Sequence, residues 1–121
     1  MEDQPADRAV HDRRIDYVEF LVRDVSRAKA FYGAAFGWQF EDFGADYAAF
    51  NDGRLDGGFM TGEPTPGGPL VITYAVDLAD AQRRVEAAGG TIVKPAFAFP
   101  GGRRFHFTDP DGYELAVWSQ T

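Results

Sequence analysis

The sequence predicts an α+β fold: two βαβββ modules forming a barrel-like curved sheet with a cavity, paired in a dimer. Three observations predict it. The pattern strand, helix, strand, strand, strand reads twice along 121 residues. A Pro/Gly-rich break, TGEPTPGGP (Thr61 to Pro69), separates the two readings, and such a segment continues neither helix nor central strand. Each module alone is one helix and a small sheet, too little to bury both sheet faces, so two must combine within a chain or between chains.

Residues 1–13, MEDQPADRAVHDR, show no apolar period and many charges, and are expected to be a flexible tail. His11 within it reads as solvated. The folded domain is expected over 14–121, with modules 14–60 and 70–119 and the linker 61–69. IDYVEFLV (Ile15 to Val22) alternates as a strand, with Val18, Phe20 and Val22 on one face and Ile15, Tyr17, Glu19 and Leu21 on the other. Asp24 suits the N-cap of a helix through about Phe36, with Ala28, Phe31, Tyr32, Ala35 and Phe36 at helical spacing and Gly37 as the stop. WQFEDF, DYAAF and LDGGFM are strand candidates, separated by turns at GA and NDGR.

After the linker the order repeats. LVITYAV is a strand and LADAQRRVEAA a helix, with Leu78, Ala81, Val85 and Ala88 on one side and Gly89-Gly90 as the stop. TIVKPAFAF, RRFHF and YELAVW follow as strands. Aligning the helices sets Phe31 against Val85, an offset of 54 residues. FPGGRR (Phe99 to Arg104) has neither the G-x-G-x-x-G pattern nor a following helix, so it reads as a mobile loop at a cavity mouth rather than an anion cradle. DPDG (Asp109 to Gly112) is a turn in which Pro fixes φ, Gly accepts a positive φ and the aspartates cap the backbone. A four-residue turn there sets Phe105 opposite Ala116 and His106 opposite Leu115, placing His106 on the helix-packed face as a structural histidine.

Composition narrows function. The chain has no cysteine, which excludes disulfides and thiolate chemistry. Twelve basic against 19 acidic residues, a formal net charge of −7, disfavour nucleic acid as a partner. No apolar run approaches a membrane span and the N-terminus has no secretory h-region, so a cytoplasmic protein is expected.

RAKAFYGAAFGW, VDLADAQRRVEAAGG and FTDPDGYEL, in a twice-read βαβββ order over Ile15 to Ser119, resemble the vicinal oxygen chelate superfamily of glyoxalase I, extradiol dioxygenases, fosfomycin-resistance enzymes and bleomycin-binding proteins. The resemblance implies paired βαβββ modules, usually dimeric, with ligand cavities on concave sheets. In the metal-dependent members it implies four ligand positions, which fall here at Tyr17, near Gly57, at Val71 and at Ala116. Three of these offer no donor atom and a phenol is a poor ligand for such metals, so no metal and no cofactor is expected there.

Alternation then places Tyr17, Glu19, Val71, Thr73, Glu114, Ala116 and Trp118 on one face, and Ile72, Tyr74, Leu115 and Val117 on the helix-packed one. With Trp38 and Tyr47 the candidate ligand-binding residues are Tyr17, Glu19, Trp38, Tyr47, Thr73, Glu114 and Trp118, a lining suited to a planar or cationic small molecule. For the two tryptophans core or interface packing is the stronger reading, and Glu19 reads equally as a solvated charge or an arginine's partner. The expected function is metal-free small-molecule binding of the bleomycin-resistance type, by a homodimer. The alternative is a glyoxalase-like lyase or isomerase using Glu19 or Tyr17 as acid/base, or a relocated divalent metal. A third is a collapsed module that only dimerises.

Overall fold

In the computed structural model, residues 8–121 are described. A 3-10 turn (Ala9–His11) precedes β1 (Ile15–Val22), α1 (Val25–Phe36), β2 (Gln39–Asp42), β3 (Tyr47–Asn51) and β4 (Asp56–Thr61). Then come β5 (Leu70–Tyr74), α2 (Leu78–Ala87), β6 (Thr91–Phe99), β7 (Gly102–Thr108) and β8 (Glu114–Ser119). The βαβββ order occurs twice, in a mixed α+β architecture. The chain forms two compact units, Tyr17–Leu70 and a second made by residues 8–16 with Val71–Thr121.

In the first unit the strands run β2-β3-β4-β1, with β1 and β4 parallel and the other pairs antiparallel. Asp24 caps α1 by accepting the Arg27 N–H at 3.0 Å, and Gly37 ends it at φ 72°, as its missing Cβ permits. Val25, Ala48, Phe50 and Phe59 form the buried core, with Phe20, Val22, Ala28, Tyr32, Trp38 and Phe40 packed around them. The buried line of α1 is therefore Val25, Ala28 and Tyr32. Phe31 and Phe36, expected on it, are 58% and 65% exposed. Each lies on the flank of that stripe and touches Tyr32 by its ring instead.

In the second unit the order is β5-β8-β7-β6, with β5 and β8 parallel. Asp77 caps α2 through the Asp80 N–H at 3.0 Å. Ala75, Leu78, Ala81, Phe105 and Val117 make its core, joined by Val85, Ile92, Ala96 and Phe107. Ala88, expected on the buried side, is exposed at the cap. FPGGRR is a tight hairpin, since Phe99 pairs with Gly102, and not an open loop.

Residues 8–13, expected within the tail, are built onto this unit. Arg13 donates its N–H to Tyr74 O at 2.8 Å, Tyr74 donates to Arg14 O at 3.0 Å, and Asp12 Oδ1 accepts from Val76 N–H at 2.9 Å. The rest of the expected tail, residues 1–7, lies outside the described residues.

Two registers differ from expectation by one residue, and each shift inverts a strand's faces. Phe105 pairs with Val117 and His106 with Ala116. The connection has one residue more than Asp109–Gly112: Gly112 N–H closes on Asp109 O, and Asp109 N–H on Tyr113 O. On β5, Ile72 pairs with Ala116, Thr73 with Val117 and Tyr74 with Trp118. Thr73 thus shares the helix-packed face, while Ile72 and Tyr74 share that of Ala116 and Trp118. The cause is the offset between modules. The two capping aspartates stand 53 positions apart (77 − 24), not 54.

Candidate functional site

On the face of β1 turned away from α1, Tyr17, Glu19 and Tyr47 meet. The two phenol oxygens lie 2.5 Å apart, and Tyr47 Oη donates to Glu19 Oε2 at 3.2 Å. The alternation of β1 puts Tyr17 and Glu19 on one side, and β3 brings Tyr47 across β4 to them. β4 lets this happen because Gly58 is a glycine. A Cβ there would stand 1.9 Å from Tyr47 Oη and 2.7 Å from Tyr17 Oη. Glu19 is buried. Burial, then the adjacent Tyr17 and Glu19, push the Tyr47 phenol far above its ordinary 10.0, so it remains a protonated donor throughout the physiological range.

The expected second ligand position is corrected by the same observation. A Cβ on Gly57 would meet Phe50 and Val18 O on the core side. Gly58, opposite Glu19 in the pairing, is the residue that shares the face of Tyr17. The third position moves as well. Tyr17 lies seven residues before the α1 cap, and seven before the α2 cap is Leu70, not Val71. Ala116 remains the fourth and is fully buried. Tyr17 is the one side chain of the four with a donor atom, and its oxygen is bonded to Tyr47. A divalent metal does not fit these residues. Among the described residues no three His, Asp or Glu side chains stand together as a ligand set.

The remaining expected site residues lie elsewhere. Trp38 stacks between Tyr32 and Phe50, at 4.6 Å from each, in the core of the first unit. It is a packing residue because β2 starts immediately beside α1. Thr73 faces the α2 side and donates to Ala116 O at 3.4 Å. Glu114 and Trp118 belong to the second unit, on its face away from α2. Trp118 Nε1 donates to Asp16 Oδ2 at 2.9 Å, Asp16 also pairs with Arg8, and the Arg8 guanidinium covers the Tyr74 and Trp118 rings at 5.0 and 5.3 Å.

Glu114 Oε2 lies 2.9 Å from His106 Nδ1. The register shift thus turns His106 from a core residue into a member of the open sheet face. It remains 3% exposed, and burial lowers its proton affinity more than Glu114 raises it. His106 and Asp16 are the residues missed from sequence. The signal for His106 was present: a five-residue turn at DPDGY would have placed it opposite Ala116. Asp16 has no such signal, because its partner Trp118 comes from the other end of the chain and Arg8 from the segment expected to be a tail.

A shallow groove of about 330 Å³, lined by Val22, Arg27, Phe31, Tyr32 and Pro64 among others, lies at the start of α1. It is apolar and contains none of the expected site residues.

The model of the Glyoxalase/Bleomycin resistance protein/Dioxygenase superfamily matches residues 14–117. Two curated proteins, each called a putative glyoxylase CFP32, from Mycobacterium bovis and Mycobacterium tuberculosis, are 32% identical over 115 residues. The match covers 85% of this chain but 44% of theirs, so the chain spans less than half the length of these relatives. Among solved structures, the Mn(II)-bound glyoxalase from Novosphingobium aromaticivorans is similar at 28% identity and TM-score 0.62, over 88% of this chain and 38% of that one. A superfamily member from Vibrio splendidus shares the fold at TM-score 0.70 and 16% identity, over 88% and 97%.

Proposed function

Because the chain belongs to the glyoxalase/bleomycin resistance protein/dioxygenase superfamily, we propose that it binds a small organic molecule without the metal that metal-dependent members hold. The observation that carries this reading is the Tyr17–Tyr47–Glu19 chain beside Gly58. Two phenol oxygens fill the space that a side chain at position 58 of β4 would need. The imidazole and carboxylate ligands that would balance a dication are absent from all four positions.

The chain is polarised. Tyr47 gives its single proton to Glu19, so it accepts from Tyr17, and the chain of hydrogen bonds ends on a carboxylate. A ligand with an N–H donor or a positive charge on a planar body complements it, which supports the planar or cationic class expected from sequence. The active species is proposed to be a homodimer.

Calorimetric titration with Mn²⁺, Zn²⁺ and Ni²⁺, and a thermal-shift screen of planar cationic compounds, test this. The expected results are no stoichiometric metal binding, and ligand stabilisation that Tyr17→Phe and Glu19→Gln diminish. Stoichiometric metal binding weakened by Tyr17→Phe overturns the metal-free reading. Ligand stabilisation unchanged in both variants overturns the site. Sedimentation velocity tests the dimer.

A second reading is favoured by the burial of Glu19. A buried carboxylate joined to Tyr17 through Tyr47 has the connectivity of a proton relay, and so of a lyase or isomerase acid/base. Turnover of a bound compound, abolished by Glu19→Gln while affinity is retained, would establish it over simple binding.

A further inference from the structure

His106 carries a feature that neither core packing nor the phenol chain explains. Its Nδ1 is held by Glu114 at 2.9 Å, while its Nε2 is buried and has no hydrogen-bond partner among the described residues. With a carboxylate accepting at Nδ1, the neutral ring bears its proton there and presents a lone pair at Nε2. A buried acceptor left unsatisfied is costly. Such a group is an indication that something outside the fold completes it.

Its surroundings define what that is. In a chain of net charge −7, the charged neighbours of His106 other than Glu114 are cationic. Lys94 pairs opposite it, and the positive charges of Arg104 and Lys94 both act on the ring. The Arg104 guanidinium lies over Phe97 and Phe99 at 5.4 and 5.9 Å, a cation–π arrangement. Phe97, whose ring is 5.8 Å from that of His106, is the cover, and it is 37% exposed. It sits on β6, the outermost strand of its unit, just after Pro95 and beside two register irregularities. Edge strands with bulges are where a side chain is most easily re-aimed.

We propose that this face of β6, β7 and β8 is a binding site for a small organic anion bearing a hydroxyl group, a hydroxycarboxylate. The hydroxyl donates to His106 Nε2, Arg104 and Lys94 balance the carboxylate, and Phe97 swings aside to admit the ligand. The site lies within the second unit and does not depend on the Tyr17 reading.

The test uses the intact protein and three probes of nearly equal size. Glycolate has both groups, acetate lacks the hydroxyl and glycolamide lacks the charge. The chain has two histidines, His11 and His106, so His106→Gln assigns the ring resonances in a ¹⁵N side-chain spectrum. Glycolate is expected to shift the His106 Nε2 signal saturably, with acetate and glycolamide at least about tenfold weaker, the equivalent of one hydrogen bond or charge pair. Arg104→Gln weakens glycolate about tenfold, Phe97→Ala strengthens it or leaves it unchanged, and Tyr17→Phe has no effect. A glycolate response that fails to saturate in both wild type and Phe97→Ala overturns the proposal. So does acetate binding as tightly as glycolate. Loss of binding in Tyr17→Phe would merge this site with the phenol chain and overturn its independence.

Discussion

At the scale of single residues, the two buried polar centres respond oppositely to pH. Tyr47 ionises far less readily in the folded chain than in the unfolded one, with burial as the main cause. The folded state therefore holds this proton more tightly, and its contribution is intact below about pH 10 and is lost as pH rises beyond it. His106 is the reverse. Its folded value is lowered from the ordinary 6.5, mainly by burial, so the unfolded chain binds the proton first. Stability is full above pH 6.5 and falls as pH drops below it. Urea midpoints between pH 7.5 and 5.0 are expected to decline in the wild type and to flatten in His106→Gln. The lowered carboxylates Asp52 and Asp80 do not share this window, since they titrate below 3.8. Removing the Tyr47 hydroxyl leaves Glu19 without one of its hydrogen bonds. Tyr47→Phe is expected to cost about 1–3 kcal/mol in chemical denaturation at pH 7. Gly58→Ala should cost at least as much, because its Cβ would strike Tyr47 Oη.

At the scale of elements, sequence reading located every strand and both helices, and inverted strand faces only where a count was one residue off. Strand and helix identity comes from periodicity, which a single slip leaves intact, whereas the face of a strand depends on absolute register. That is why Thr73 and His106 exchanged sides while β5 and β7 themselves were legible. Tyr17, Glu19 and Tyr47 were recovered as a group because the β1 alternation needed no offset. Trp38 was not, since its stacking on Tyr32 and Phe50 is decided by how α1 and β2 meet. The caps were the reliable anchors. Asp24→Ala and Asp77→Ala are each expected to lower stability by about 1 kcal/mol. The turn that set the register is held by the Asp109 carboxylate, which accepts from Asp111 N–H at 2.9 Å and Tyr113 N–H at 3.0 Å. Asp109→Ala should cost about 1 kcal/mol and increase amide exchange at Tyr113, readable by NMR.

At the scale of the molecule, each unit has one helix and a four-stranded sheet, so its helix covers one sheet face only. The other face carries buried groups of its own: Glu19 in the first unit, His106 and Tyr74 in the second. A lone unit, a small sheet with one helix-covered face, is near the limit of independent stability. The chain 8–121 is therefore expected to unfold as one cooperative domain, despite its two compact units. In calorimetry the ratio of measured to van't Hoff enthalpy should be close to one. A fragment of residues 14–70 should show no sigmoidal thermal transition by circular dichroism and should bind hydrophobic dye, although it contains a complete βαβββ pattern. Cooperative melting of that fragment would show the modules to be independent domains.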